Sequence, residues 1–398
     1  MGFGILSLKF FLIFSLVALS LGVRSAQAFD FSYIPGPGGG TQQLQSQLGG
    51  MSIGYLKVGS EVVGNLAWHP EFKLGYFGLG LDVNMPMGEQ RPFGYENVVL
   101  RYVEYDDGQI GLRYGILYNV TWGHGLLLDN YSTANFGPLL ANNTQQAFQG
   151  YVDFDQYVVR SIVTRTGVYA LRLEERVNPS LTLGQTVITD IDGVTPVGAT
   201  TIQKVTGIGV DVTVPLPLNF VGFAEVARLV DHGDGFGTGV KWSADLSVFK
   251  SSFLVAYRLM NRGFAPGYFG VDYEINPVNL ASAEATNDKN GYLAQYGLSF
   301  LDLASFSIGY EKYNETEATL SGKVFAKLSE QVSVTGYYEQ PNFVDFRSLN
   351  LQDGAVVGGV VYYKVNPYTT LVTHYKKAYN PTTGLVEESQ YYEVKLSF

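Results

Sequence analysis

From Ser52 to Phe398 apolar and polar residues alternate with a period of two, and turn residues break the alternation at short intervals. Val240, Trp242, Ala244 and Leu246 share a phase, with Lys241, Ser243 and Asp245 between them. Phe253, Val255, Tyr257 and Leu259 form another such row, and Tyr292, Ala294, Tyr296, Leu298 and Phe300 stand against Gln295, Gly297 and Ser299. Val332, Val334 and Tyr338 oppose Ser333, Thr335 and Glu339. Successive side chains of a strand point to opposite faces, so each run predicts a strand with one apolar and one polar face. No stretch carries a helical period, and the fold class expected is all-β. The last run is amphipathic to its end: Tyr392, Val394, Leu396 and Phe398 share one face, and Tyr391, Glu393, Lys395 and Ser397 the other.

The connections come in two lengths. Tight ones are expected at Asn366-Pro367-Tyr368, Ser329-Glu330-Gln331, Asp302-Leu303-Ala304, Asp245-Leu246-Ser247, Pro215 to Leu218 and Asn178-Pro179-Ser180. Longer ones lie between them, near Tyr379 to Glu387, Asn342 to Gly354, Gly263 to Asn290 and Ile191 to Ile202. Short turns on one side and long loops on the other is the asymmetry of a barrel set across a membrane.

The front of the chain reads as an export signal over residues 1–28. Lys9 precedes an apolar run from Phe10 to Val23, then Ala26-Gln27-Ala28, with cleavage before Phe29. Residues 29–50, rich in Gly, Pro and Gln, form a leader that reads as a linker or as a segment tucked into a lumen, and residues 51–398 form the barrel. Cleavage leaves 370 residues, with 24 basic residues against 36 acidic ones, a formal charge of −12. This balance offers no basic patch to nucleic acid. No cysteine is present, which closes lipoprotein anchoring, disulfides and thiolate chemistry. Charged residues are 16%, below the quarter usual in soluble domains, while 47 glycines, 28 tyrosines and 25 phenylalanines are present. After the signal no apolar stretch reaches the length of a spanning helix, so a membrane would be crossed with strands.

The final run ending in Tyr392, Val394, Leu396 and Phe398 resembles the C-terminal signature of bacterial outer-membrane β-barrels, which their assembly machinery reads as an address. The resemblance implies outer-membrane lipid and that machinery as partners, with those four residues as the assembly signal. In architecture the chain resembles the porin class. A strand-plus-connection unit of about 20 residues gives roughly 18 strands, and a count of runs gives about 19. The surplus in the count lies around Gln149 to Arg165, where two short runs flank Asp153-Phe154-Asp155, or in the leader crossing the lumen, and the expectation is a transmembrane antiparallel barrel of about 16 to 18 strands.

The polar phase of the strands places Arg113, Arg172, Glu174, Arg176, Lys241, Arg258, Glu311, Lys323, Glu339 and Lys395 inside as pore-lining candidates. They pair across the wall and keep the lumen wet, or set a transverse field at a constriction. The long connection Asn119 to Gln146, hinged at Gly123 and Gly125, carries Trp122, His124 and Asp129 as constriction candidates, because its apolar residues need a protected place to pack. The function expected is a porin-like channel for passive diffusion of small hydrophilic solutes, possible as a homo-oligomer, with no reaction and no cofactor. One alternative is a substrate-selective uptake channel, for which Tyr337, Tyr338, Tyr362 and Tyr363 would line the lumen. Others are an outer-membrane hydrolase, which would bring His124 and Ser132 into contact, and a barrel with a plugged lumen. His69, His124, His232 and His374 are scattered and predict no metal site, and Asp231 to Gly235 reads as a turn rather than a calcium loop.

Overall fold

A computed structural model describes residues 51–396 apart from 59–60, 69, 88–97, 134–144, 197–198, 246, 272, 275–276, 282–286, 302, 315, 347–354 and 381–384. The expected export signal, the leader and Phe398 lie outside the described residues. The wall opens with β1 (Met51–Val58), β2 (Glu61–Trp68), β3 (Glu71–Leu74), β4 (Phe77–Met87), β5 (Val98–Asp106) and β6 (Ile110–Gly115). A short hairpin follows, β7 (Val120–Trp122) and β8 (Leu128–Tyr131), which pair with each other in a separate sheet. The wall resumes with β9 (Ala147–Asp153), β10 (Tyr157–Thr164), β11 (Val168–Asn178), β12 (Leu181–Asp190), β13 (Thr206–Pro215), β14 (Phe220–Leu229) and β15 (Gly233–Asp245). It continues through β16 (Phe249–Met260), β17 (Lys289–Phe300), β18 (Ala304–Tyr313), β19 (Ala318–Lys327), β20 (Val332–Phe343), β21 (Val356–Asn366), β22 (Thr369–Asn380) and β23 (Leu385–Leu396).

Neighbours in the wall are antiparallel, β6 joins β9 across the hairpin, and β23 returns to β1 with Leu396 opposite Met51 and Tyr392 opposite Tyr55. The ring is therefore closed, which removes the unpaired edges an open sheet would present. Among the described residues the sheet has 21 strands, and because β2 and β3 pair with consecutive stretches of β4 and fill one place, the ring has one position fewer, 20. This exceeds the expected 16 to 18. The runs flanking Asp153-Phe154-Asp155 are both full wall strands, β9 and β10. The expected long loop near Tyr379 to Glu387 is also shorter. β22 and β23 stay paired to Asn380 opposite Leu385, with Lys377 opposite Glu388, and such a pair of charged positions reads as loop in a sequence.

Six of the tight turns share one chemistry, while the turn between β13 and β14 is closed by backbone bonds over Pro217 to Asn219. Asp107 Oδ1 accepts from the backbone N–H of Gln109 and Ile110 at 2.9 and 2.7 Å, Asp153 Oδ1 from Asp155, and Asn178 Oδ1 from Ser180. Asp245 does the same for Ser247, Asn366 for Tyr368, and Ser329 Oγ for Gln331 and Val332. A short polar side chain thus replaces the ladder bond at these six reversals. These turns lie at the end of the ring where β1 begins and β23 finishes. The connections 116–146, 191–205 and 261–288 emerge at the other end.

Wall strands carry exposed apolar residues on their outer face. Tyr169, Leu171 and Leu173 on β11, Ile208 and Val210 on β13, Leu298 and Phe300 on β17, and Val361 and Tyr363 on β21 are all exposed. At the short-turn end the outer row turns aromatic, with Trp242 stacked on Phe253 at 5.5 Å and Phe220 6.2 Å from Trp242. A closed antiparallel ring with an apolar outer band and interfacial aromatics is a transmembrane β-barrel. Leu171, 55% exposed near the middle of β11, reports this directly. Leu171→Arg is expected to cost about 2–4 kcal/mol of barrel stability, read as a lower urea midpoint for loss of the heat-modifiable band. An unchanged midpoint would show that the outer row does not face lipid.

The main apolar cluster is not sandwiched between sheets. It sits inside the ring at the long-connection end, where Trp122, Leu126, Leu127, Phe264, Tyr268 and Phe269 from two connections pack against inner wall positions such as Ile162, Ala170, Ile188, Ala227 and Met260.

Candidate functional site

The connection after β6 turns back into the ring and builds the site. At its base the backbone N–H of Leu117 donates to Thr133 Oγ1, and Ser132 Oγ donates to the Leu117 carbonyl, both at 3.0 Å. Asp129 Oδ1 then accepts from Thr121 Oγ1 and Asn130 Nδ2 at 3.1 Å, which holds β7 beside β8. Trp122 is buried at the end of β7. Gly123 and Gly125 at the tip have φ of +65° and +82°, the left-handed region that glycine enters without strain. A Cβ on Gly123 would also sit 2.8 Å from Glu225 Oε1, so the tip approaches the wall as closely as only glycine permits.

The wall meets this tip with acceptors from β13 and β14. Glu225 Oε2 accepts from the backbone N–H of His124 at 2.9 Å and of Leu126 at 3.2 Å. His124 Nε2 shares a hydrogen bond with Thr213 Oγ1 at 3.0 Å, and its ring stacks on Phe223 with centroids 4.1 Å apart. Burial, then the nearby Lys241 and Arg172 cations, hold the His124 imidazole well below its ordinary pKa, so the ring is neutral where it docks. Burial raises the Asp129 carboxyl. A small cleft at the tip is lined by His124, Leu126, Phe223, Glu225, Arg258 and Leu293.

Around the same inner face run paired charges. Arg172, 4% exposed, grips Asp211 with two bonds of 2.6 and 3.0 Å, and adds Glu174 at 2.7 Å and Thr186 at 2.9 Å. Asp211 stands directly opposite Glu225 in the register. Arg258 donates to Glu311 at 3.2 Å and to Tyr313 at 3.3 Å. Arg113 pairs with Glu104 at 3.2 Å and lies 4.4 Å from the Tyr102 ring centroid. Arg176 pairs with Asp153 at 2.7 Å near the short-turn end. Lys241 Nζ lies 5.3 Å from the Phe223 centroid. Lys323, opposite Ser307 and Tyr337, has no carboxylate partner among the described residues, and Glu339 stands opposite Ser321 and Val356.

Two expectations change. Tyr337 and Tyr362 share the inner phase with Lys323 and Glu339, whereas Tyr338 and Tyr363 fall in the outer row, so the four tyrosines do not form one ladder. His124 and Ser132 do not form a dyad, since one is bonded to Thr213 at the tip and the other to Leu117 at the base. Sequence reasoning did not single out Asp211, Thr213 or Glu225. Each is a polar residue on the inner phase of an apolar strand, the same signal that marks Arg172, but the part of Thr213 and Glu225 in holding the tip depends on a connection roughly a hundred residues away in sequence.

No protein-family model matches the chain, and no curated protein matches it. Among solved structures it is similar to OccK2 (OpdF) of Pseudomonas aeruginosa in complex with glucuronate, at 10% identity over 87% of this chain and 95% of that one, with a TM-score of 0.46. It is also similar to a BenF-like porin of Pseudomonas fluorescens Pf-5, at 9% identity over 88% of this chain and 97% of that one, with a TM-score of 0.45. OccAB3 of Acinetobacter baumannii is a third such structure, at 11% identity, 88% and 98% coverage and a TM-score of 0.39.

Proposed function

We propose that the chain is a bacterial outer-membrane channel for passive diffusion of small hydrophilic solutes, narrowed by the connection 116–133. The observation that carries this reading is the docking of the His124 to Leu126 tip on Glu225 and Thr213 of the inner wall. A ring of this many strands encloses more space than its own side chains fill. Paired charges such as Arg172 with Asp211 and Arg258 with Glu311 give that space a polar lining. The apolar cluster draws its wall positions from strands β9 to β16, so a solute path runs along the opposite inner wall, past Lys323, Tyr337 and Glu339. The short-turn end would face the periplasm.

Lys323 favours a second reading, a substrate-selective channel, because a cation without a carboxylate partner beside Tyr337 is available to a solute. The two readings separate in a planar bilayer. Purified protein should give steady current that scales with salt. A selective channel should in addition be blocked by its own solute, and the block should disappear in Lys323→Gln. Absence of any current from folded protein would overturn both.

A further inference from the structure

We infer that the described part of the connection 261–288, from Phe264 to Glu274 with Val278 and Leu280, is a strut that holds the constriction in the lumen, with Gln203, Tyr273 and Asp190 as its positioning residues. The inference rests on the constriction reading above and adds what sets the width of the pore.

Besides its apolar packing on the inner wall, the constriction connection is held inward by a small set of hydrogen bonds among the described residues. Among the described residues its hairpin pairs β7 with β8, its base closes through Leu117, Ser132 and Thr133, its tip is bonded to Glu225 and Thr213, and three further backbone bonds join it to the other connection. Gly267 N–H donates to the Leu126 carbonyl at 2.9 Å, Phe269 N–H to the Leu127 carbonyl at 3.1 Å, and Asp129 N–H to the Phe269 carbonyl at 3.2 Å. Phe269 thereby lies alongside Leu128 as a parallel bridge, and both residues are fully buried. The hydroxyl of Tyr131 bonds Glu274, which adds a side-chain link between the same two connections.

The strut is in turn fixed to the wall side by hydrogen bonds to Gln203 and Asp190. Gln203, in the connection after β12, donates to Tyr268 Oη and to the Val278 carbonyl, the latter at 3.0 Å, and its Oε1 accepts from the Leu280 N–H at 3.0 Å. It therefore holds the strut at two places ten residues apart. Gln203 is itself held by paired backbone bonds to Val194 of 3.1 and 2.8 Å. Near it Tyr273 donates to Asp190 Oδ2, the last residue of β12, at 2.6 Å. Between these points Tyr268, Phe269 and Tyr273 form a packed aromatic group with centroids 4.8 to 5.3 Å apart. A rigid aromatic body, pinned to β12 and its connection on one side and hydrogen-bonded to Leu126 through Asp129 on the other, is what a strut requires. None of Gln203, Tyr273 and Asp190 lines the cleft at the tip. They should therefore act on the position of the constriction and not on ion selectivity.

The test uses two readouts on the full barrel. The chain has no cysteine, so Leu126→Cys introduces a single thiol at a buried position of the tip. In that background Tyr273→Phe, which removes only a hydroxyl, and Gln203→Ala are compared for the rate of labelling by a membrane-impermeant maleimide and for single-channel conductance. Loss of the three neutral hydrogen bonds of Gln203, each at the low end of its usual net contribution, corresponds to roughly a tenfold shift between docked and released tip. Labelling of Gln203→Ala should rise by about that factor, with smaller acceleration in Tyr273→Phe. Conductance should become larger and noisier at unchanged reversal potential. Unchanged labelling in variants that retain the heat-modifiable band would overturn the strut, and so would a shifted reversal potential with unchanged labelling. Faster labelling in a protein that carries no current would uphold the strut and overturn the channel reading. Should Gln203→Ala fail to assemble, Tyr273→Phe alone decides, since it keeps the ring in the cluster.

Discussion

Glu225→Ala is expected to raise single-channel conductance at least about twofold while the barrel still assembles. Glu225, 4% exposed, is the acceptor for the His124 and Leu126 backbone N–H groups. Removing it leaves two buried donors without partners, at about 1–3 kcal/mol each. The tip relieves that cost by moving into water. The barrel itself loses little, because a buried carboxylate carries a desolvation cost of its own. Glu225→Gln, which keeps an acceptor of the same shape, should change conductance much less. Wild-type conductance in a folded Glu225→Ala barrel would mean that the tip does not limit the path.

Arg172→Met is expected to destabilise the barrel by about 3–5 kcal/mol, the cost of breaking a buried ion pair from one side. It strands Asp211 beside Glu225, two carboxylates facing each other across neighbouring strands with their shared cation removed. The double variant Arg172→Met with Asp211→Asn should recover most of the loss, because the buried charge then goes with its partner. The readout is the urea midpoint for loss of heat-modifiable migration. A single variant as stable as the parent would show that the pair is solvated rather than enclosed. The same geometry argues against treating Arg172 as a free selectivity charge. Arg172→Glu would place a third acid against Asp211 and Glu174 and should impair assembly, whereas Arg258, paired with the half-exposed Glu311, is the better position for a selectivity change.

The alternation of the chain determined the barrel class, the facing of Leu171 against Arg172 and of Tyr257 against Arg258, and the placing of turns at Asn178, Asp245, Ser329 and Asn366. These are local properties: a strand's period is two whatever it pairs with, and an Asx or Ser turn is closed by residues two positions apart. The strand number was less legible. It depends on whether polar stretches such as those near Asp153 and from Lys376 to Glu388 stay paired, and cross-strand neighbours decide that. The sequence also marked the connection after β6 as long, glycine-hinged and in need of cover, with Trp122, His124 and Asp129 on it. Only the tertiary structure showed what it docks on. Glu225, Thr213, Gln203, Asp190 and Tyr273 stand far from that connection in the chain and carry no motif. Ring closure and the packing of two long connections inside the wall bring them together, because a buried N–H or carboxylate takes whichever partner the fold places within about 3 Å.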